Sequence, residues 1–163
     1  MARYVVATVA EIAPGARKLV DVAGRSIGIF NVGGEFFALR NRCPHQGGPL
    51  CTGILWAAVT APVPGAYQYS RPGEILRCPW HGWEFDLRTG QSWVDPARLR
   101  VRRYEVTIER AAAAGEGIQG PVPGSVPGPY VAEVYATSVE RQYVVVEIPE
   151  RPGRTGGSMV RMH

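Results

Sequence analysis

The residues best suited to chemistry fall in two short clusters. RCPHQGGPLC, residues 42–51, holds two of the chain's three cysteines and one of its three histidines. RCPWHGWEFDLRTG, residues 77–90, holds the third cysteine and a second histidine. The spacings are C-x-H in Cys43-Pro44-His45 and C-x-x-H in Cys78-Pro79-Trp80-His81. Two thiolates and two imidazoles would satisfy a tetrahedral zinc ion, but zinc sites of that kind usually pair cysteine with cysteine and histidine with histidine along the chain. Here each cluster carries one of each, so two loops brought together could put both thiolates on one metal and both imidazoles on another. An odd number of cysteines, with no secretory leader, argues against a disulfide framework and for metal or redox chemistry.

Strands must position these loops. YVVATV, KLVDV, SIGIF and EFFAL, all before residue 40, are short and rich in β-branched and aromatic residues. Turn residues separate them, Ala23-Gly24-Arg25 and Val32-Gly33-Gly34 among them, which predicts a meander of hairpins. Between residues 40 and 95 the pattern breaks into Gly/Pro-rich loops around ILRC, EFDL and QSWV. Alternation returns in LRVRRYEVTIE, YVAEVYATSVE and QYVVVEI. The outer segments thus form one sheet system holding a loop-rich insert. Two stretches heavy in Ala, Gly and Pro, residues 57–73 and 111–129, read as surface excursions, and the last residues as a mobile tail.

With 163 residues, 45% hydrophobic and 20% charged, the chain can bury one core. Twenty glycines and fourteen prolines without a collagen period mark a loop-rich all-β protein. The first fifteen residues hold no leader-like apolar run, and no stretch approaches the roughly 20 apolar residues of a membrane span. A soluble cytoplasmic protein without a membrane partner is expected. A net charge of +4 invites nucleic acid, but the arginines are spread along the chain with no aromatic-basic motif, so no nucleic-acid partner is expected.

CPHQGGPL and CPWHGWEFD resemble the two cluster-binding loops of the Rieske family, and with their flanking strands the resemblance runs over residues 4–109. It implies one [2Fe-2S] cluster, with Cys43 and Cys78 on one iron and His45 and His81 on the other. It also implies a Rieske-type fold of stacked antiparallel sheets in a single domain, residues 1–149. The small cluster-binding subdomain would span about residues 40–95, the base sheets about 1–39 and 98–149, and a flexible tail 150–163. In that family's respiratory-complex members each loop adds a cysteine and the two form a disulfide; here Trp80 stands at the second-loop position. Trp83 and Phe85 stand where those high-potential proteins place hydroxyl donors, which implies a potential toward the lower end of the roughly −150 to +300 mV Rieske range. Cys51 is not at the disulfide position and is expected to be a buried free thiol. Trp80, Trp83 and Trp93 are expected to shield the cluster, and Asp95-Pro96-Ala97 resembles the family's covering third loop.

The mixed ligand set leaves the oxidised core formally neutral, where four thiolates would leave it doubly negative; the site should therefore accept an electron more readily than an all-thiolate one. Rieske oxygenases also need a mononuclear iron held by two histidines and a carboxylate. With His45 and His81 committed only His163 remains, so the chain cannot assemble that second site. The resemblance implies a one-electron carrier, the ferredoxin component between a flavin reductase and a terminal oxygenase. A small Rieske subunit of a larger reductase, such as assimilatory nitrite reductase, and a zinc-stabilised interaction module are the alternatives.

Overall fold

A computed structural model describes residues 1–110, 118–119 and 142–150. Among these residues ten strands form two sheets. They are β1 (Ala2–Thr8), β2 (Arg17–Val22), β3 (Arg25–Val32), β4 (Glu35–Arg40), β5 (Ile54–Thr60), β6 (Gln68–Arg77), β7 (Glu84–Asp86), β8 (Arg103–Arg110), β9 (Ile118–Gln119) and β10 (Gln142–Ile148). The larger sheet has the order β2-β3-β4-β8-β10-β1-β9, the smaller β5-β6-β7. All pairings are antiparallel except β1 with β9. The all-β reading holds. The stretch 130–140, predicted as a strand, and most of 111–129 lie outside the described residues.

β2, β3 and β4 form the expected meander, with Val22 opposite Arg25 and Val32 opposite Glu35. The two-residue turns between them need left-handed backbone at both positions, supplied by Ala23 (φ 50°) with Gly24 (φ 69°) and by Gly33 (φ 59°) with Gly34 (φ 94°). β1 does not join that meander. It crosses to the far side of the sheet and pairs with β10, because a 3-10 turn at Val9–Glu11 and the Pro14-Gly15 bend redirect the chain before β2.

β3 is buried on both faces, which explains its almost unbroken apolar run. Ile27 and Ile29 point into a core with Val6, Ile12, Ala38, Tyr104, Val144 and Val146. Phe30 points into a second core with Leu39, Leu50, Leu76, Phe85, Leu87, Val101 and all three cysteines. The middle of the large sheet is thus the floor on which the small subdomain rests.

The 57–73 excursion is not a loop. β5 and β6 pair through most of it, from Ile54 opposite Arg77 out to Thr60 opposite Gln68, with one irregularity between Trp56 and Ala58. QSWV, in contrast, is not a strand and makes only the isolated bridges Phe85–Ser92 and Gln91–Arg100. Ser92 Oγ accepts the backbone N–H groups of Val94 (3.1 Å) and Asp95 (3.3 Å), so the side chain turns the chain where a ladder would have continued.

Candidate metal centre

Both cysteine loops are closed by the same hydrogen bonds. In the first, the Cys43 carbonyl accepts from Gly47 N–H (2.8 Å) and Cys43 N–H donates to the Gly48 carbonyl (2.8 Å). In the second, the Cys78 carbonyl accepts from Gly82 N–H (3.0 Å) and Cys78 N–H donates to the Trp83 carbonyl (2.8 Å). Each loop therefore reverses over five residues, and the fourth residue after the cysteine is a glycine with left-handed backbone, Gly47 at φ 82° and Gly82 at φ 71°. The histidine lies two residues after the cysteine in one loop and three in the other.

The second core brings the loops face to face. Cys43 and Cys78 are both buried, free, and within hydrogen-bonding reach of each other. The His45 and His81 rings stand 5.0 Å apart, edge to face at 90°. Among the described residues no three His, Cys, Asp or Glu side chains are arranged to hold a single metal ion. The four residues form a thiol pair and an imidazole pair, an arrangement that suits two metals.

Burial pushes the Cys43 thiol up, against the pull of the His45 and Gln46 backbone N–H groups directed at its sulfur. A bound cation must therefore displace its proton, and those N–H groups then stabilise the resulting thiolate. Nδ1 of His45 is buried and has no hydrogen-bond partner. An orphaned imidazole nitrogen is costly in an apolar site unless its lone pair meets a donor or a metal. Both observations fit an iron–sulfur group held between the loops.

Trp83 lies stacked on His45, ring centroids 4.2 Å apart and planes 20° from parallel. Trp80 is exposed, edge-on to His81 at 6.4 Å, and covers Gly48, where a Cβ would stand 2.7 Å from the indole. These two tryptophans flank the imidazoles. Trp93 does not: it is exposed and lines a separate hollow of about 300 Å³ with Asp86, Ser92 and Pro96.

Cys51 belongs to neither loop closure. Fully buried, its thiol faces the Leu39 carbonyl at 3.6 Å, its N–H donates to Asn41 Oδ1 (2.8 Å) and its carbonyl accepts from Arg17 Nη1 (2.9 Å). Burial pushes its pKa up to about 12. It is the joint between subdomain and floor, seated where β3 carries Gly28: a Cβ on Gly28 would stand 2.6 Å from the Cys51 sulfur.

A groove of about 560 Å³ lies beside His45, walled by Arg40, Arg42, Arg100 and Arg102. Arg40 and Arg42 are some sixty positions from Arg100 and Arg102 in the chain. The two segments meet because Arg40 N–H donates to the Arg102 carbonyl (2.9 Å). Arg103 turns away from the groove, to the Arg88 carbonyl and Glu105.

The family model for the Rieske [2Fe-2S] domain matches residues 2–105. The 3-phenylpropionate/cinnamic acid dioxygenase ferredoxin subunit of Escherichia coli K12 is 30% identical over 109 residues, 67% of this chain and 88% of its own. Mouse Apoptosis-inducing factor 3 is 31% identical over 102 residues, 63% of this chain, which spans 14% of that protein. Among solved structures, the ferredoxin of carbazole 1,9a-dioxygenase from Nocardioides aromaticivorans IC177 superposes with a TM-score of 0.53 at 26% identity, covering 67% of this chain and 91% of that one. Two matched loops, an apolar thiol pair, an imidazole pair and these likenesses converge: the chain belongs to the Rieske [2Fe-2S] domain family and takes a Rieske-type [2Fe-2S] cluster.

Proposed function

We propose that this protein is a one-electron carrier, the ferredoxin component that takes electrons from a reductase and delivers them to a terminal oxygenase. The observation that carries the reading is the two-and-two arrangement of Cys43 with Cys78 and His45 with His81 on loops closed by the same hydrogen bonds. Cys43 and Cys78 hold one iron, His45 and His81 the other. A [2Fe-2S] cluster bound there supplies one-electron transfer. The protein's part is to bury the thiols, direct N–H groups at sulfur, and leave one imidazole at the surface. His81 is exposed while His45 is half-covered by Trp83, so electrons enter and leave through the histidine edge and water is kept from the cysteine side.

The likeness to dioxygenase ferredoxins over most of their length supports a carrier over a subunit of a larger reductase. Reading residues 1–149 as one domain is supported by β10, which lies between β1 and β8 in the large sheet. No helix among the described residues is long and apolar enough to cross a membrane, and three unpaired cysteines suit a reducing cytoplasm.

The test is purification from an iron-replete host. Two irons per chain and a Rieske-type EPR signal after reduction are expected; a colourless protein with one zinc would overturn the reading. Cys43→Ser and Cys78→Ser should abolish the signal, whereas His45→Cys and His81→Cys, by adding negative charge, should lower the reduction potential of any cluster that assembles. Unchanged visible spectra in all four variants refute the ligand assignment.

A further inference from the structure

We infer that the arginine groove beside His45 is the docking site for a carboxylate-rich surface of the redox partner. The inference rests on the carrier reading above and names the chemistry of the partner it requires.

The arginines of the described residues differ in their partners. Arg3, Arg71, Arg77, Arg88 and Arg103 are ion-paired with carboxylates. Arg40, Arg42, Arg100 and Arg102 have no carboxylate partner among the described residues, and no Asp or Glu lines the groove they form. All four side chains are exposed, while Leu39, Cys43 and Val101 between them are buried in the second core. Alternation along two hydrogen-bonded segments thus anchors the backbone and leaves the guanidinium groups outside, around one opening that reaches His45 and Gln46. Four like charges in one groove repel each other, and nothing within the described chain offsets that; a partner's carboxylates would.

Guanidinium groups favour planar, bidentate acceptors, which carboxylates supply. No Phe, Tyr or Trp lines the groove, so it lacks the stacking platform that single-stranded nucleic-acid binders use. Its position matters as much as its charge. A partner seated on the four arginines comes to rest beside a cluster-side imidazole, and the field draws an acidic surface to that edge in preference to others on the molecule.

The test uses the cluster-loaded protein and a fluorescein-labelled decaglutamate peptide, with binding read by fluorescence anisotropy at about 20 and about 200 mM salt. Native protein should bind at low salt and release at high salt. Arg100→Gln with Arg102→Gln should weaken binding roughly tenfold, while Lys18→Gln with Arg25→Gln, the same loss of charge on the β2–β3 hairpin, should leave it within about twofold. Saturating peptide should also slow oxidation of the reduced protein by ferricyanide, since it covers the His45 edge. Equal weakening by both double variants would mean net charge alone, and tighter binding of a ten-residue oligothymidylate would mean a nucleic-acid surface; either overturns the inference. The EPR signal is recorded for every variant: its absence from native protein overturns the carrier reading and the inference with it, while its presence alongside unchanged binding in the Arg100/Arg102 variant overturns the inference alone.

Discussion

The joint between subdomain and floor can be tested through Gly28 and Cys51. Gly28 has ordinary backbone, since its φ is not among the positive values, so Gly28→Ala carries no left-handed penalty. Its cost is steric: the new methyl would stand 2.6 Å from both Cβ and Sγ of Cys51 and 3.0 Å from the Phe30 ring. Overpacking of that kind costs about 1–3 kcal/mol. Cys51→Ala removes one fully buried sulfur and costs about 1 kcal/mol. The double variant removes the sulfur the methyl collides with but keeps the Cβ contact, so it should cost about 1 kcal/mol less than the sum of the single changes. In a chain of this size each kcal/mol moves the melting midpoint by about 2–4 °C. The assay is thermal melting of the cluster-loaded proteins at one scan rate, with the double-variant cycle judged on the midpoint shifts. Strict additivity, within about 0.5 kcal/mol, would refute the contact. All three variants should keep the visible and EPR spectra of the native protein; a spectral change in Cys51→Ala would refute the assignment of Cys51 to packing alone.

Two further outcomes concern the shell around the site. Trp83→Ala removes an indole stacked on His45 and should cost about 2–3 kcal/mol, while Trp83→Phe keeps a ring there and should cost about 1; melting midpoints check both. Glu74 is held below the usual carboxylate range first by the Arg88 guanidinium and then by Arg71. A carboxyl with a depressed folded pKa contributes stability above its unfolded value and loses it as pH falls through the folded one. Between about pH 5 and pH 3 the native protein should therefore lose stability more steeply than Glu74→Gln, as melting across that range would show.

Much of the site could be read in the sequence because its chemistry is local. Each loop's turn is written in five consecutive residues, and the glycines at positions 47 and 82 are needed by the backbone wherever the loop sits. The meander was readable for the same reason, since its turns lie within two residues of the strands they join. Long-range placement was not. Nothing in YVVATV says that it pairs with β10 and not β2, and nothing near Arg40 and Arg42 says that residues 100–102 will lie beside them. The Trp83 stack on His45 was hidden likewise, because it joins two loops 38 positions apart.

The segment between the ligand pairs illustrates why a local pattern need not depend on the spacing between its halves. Thirty-two residues, 46–77, separate His45 from Cys78. An unstructured loop of that length would fix its ends only through closure entropy, which rises slowly with length and specifies no geometry. β5 and β6 instead zip the segment into an antiparallel arm, and the pair nearest the site, Ile54 with Arg77, sets the separation of the two chain ends. Gly53 makes that pairing possible at close range: a Cβ there would fall 1.8 Å from the Arg77 carbonyl. Residues added to both sides of such an arm extend it outward and leave Ile54 opposite Arg77, so the ligand positions do not register how long it is. The far end of the arm, where Tyr67 and Tyr69 are exposed, is where added length would emerge, away from every predicted ligand.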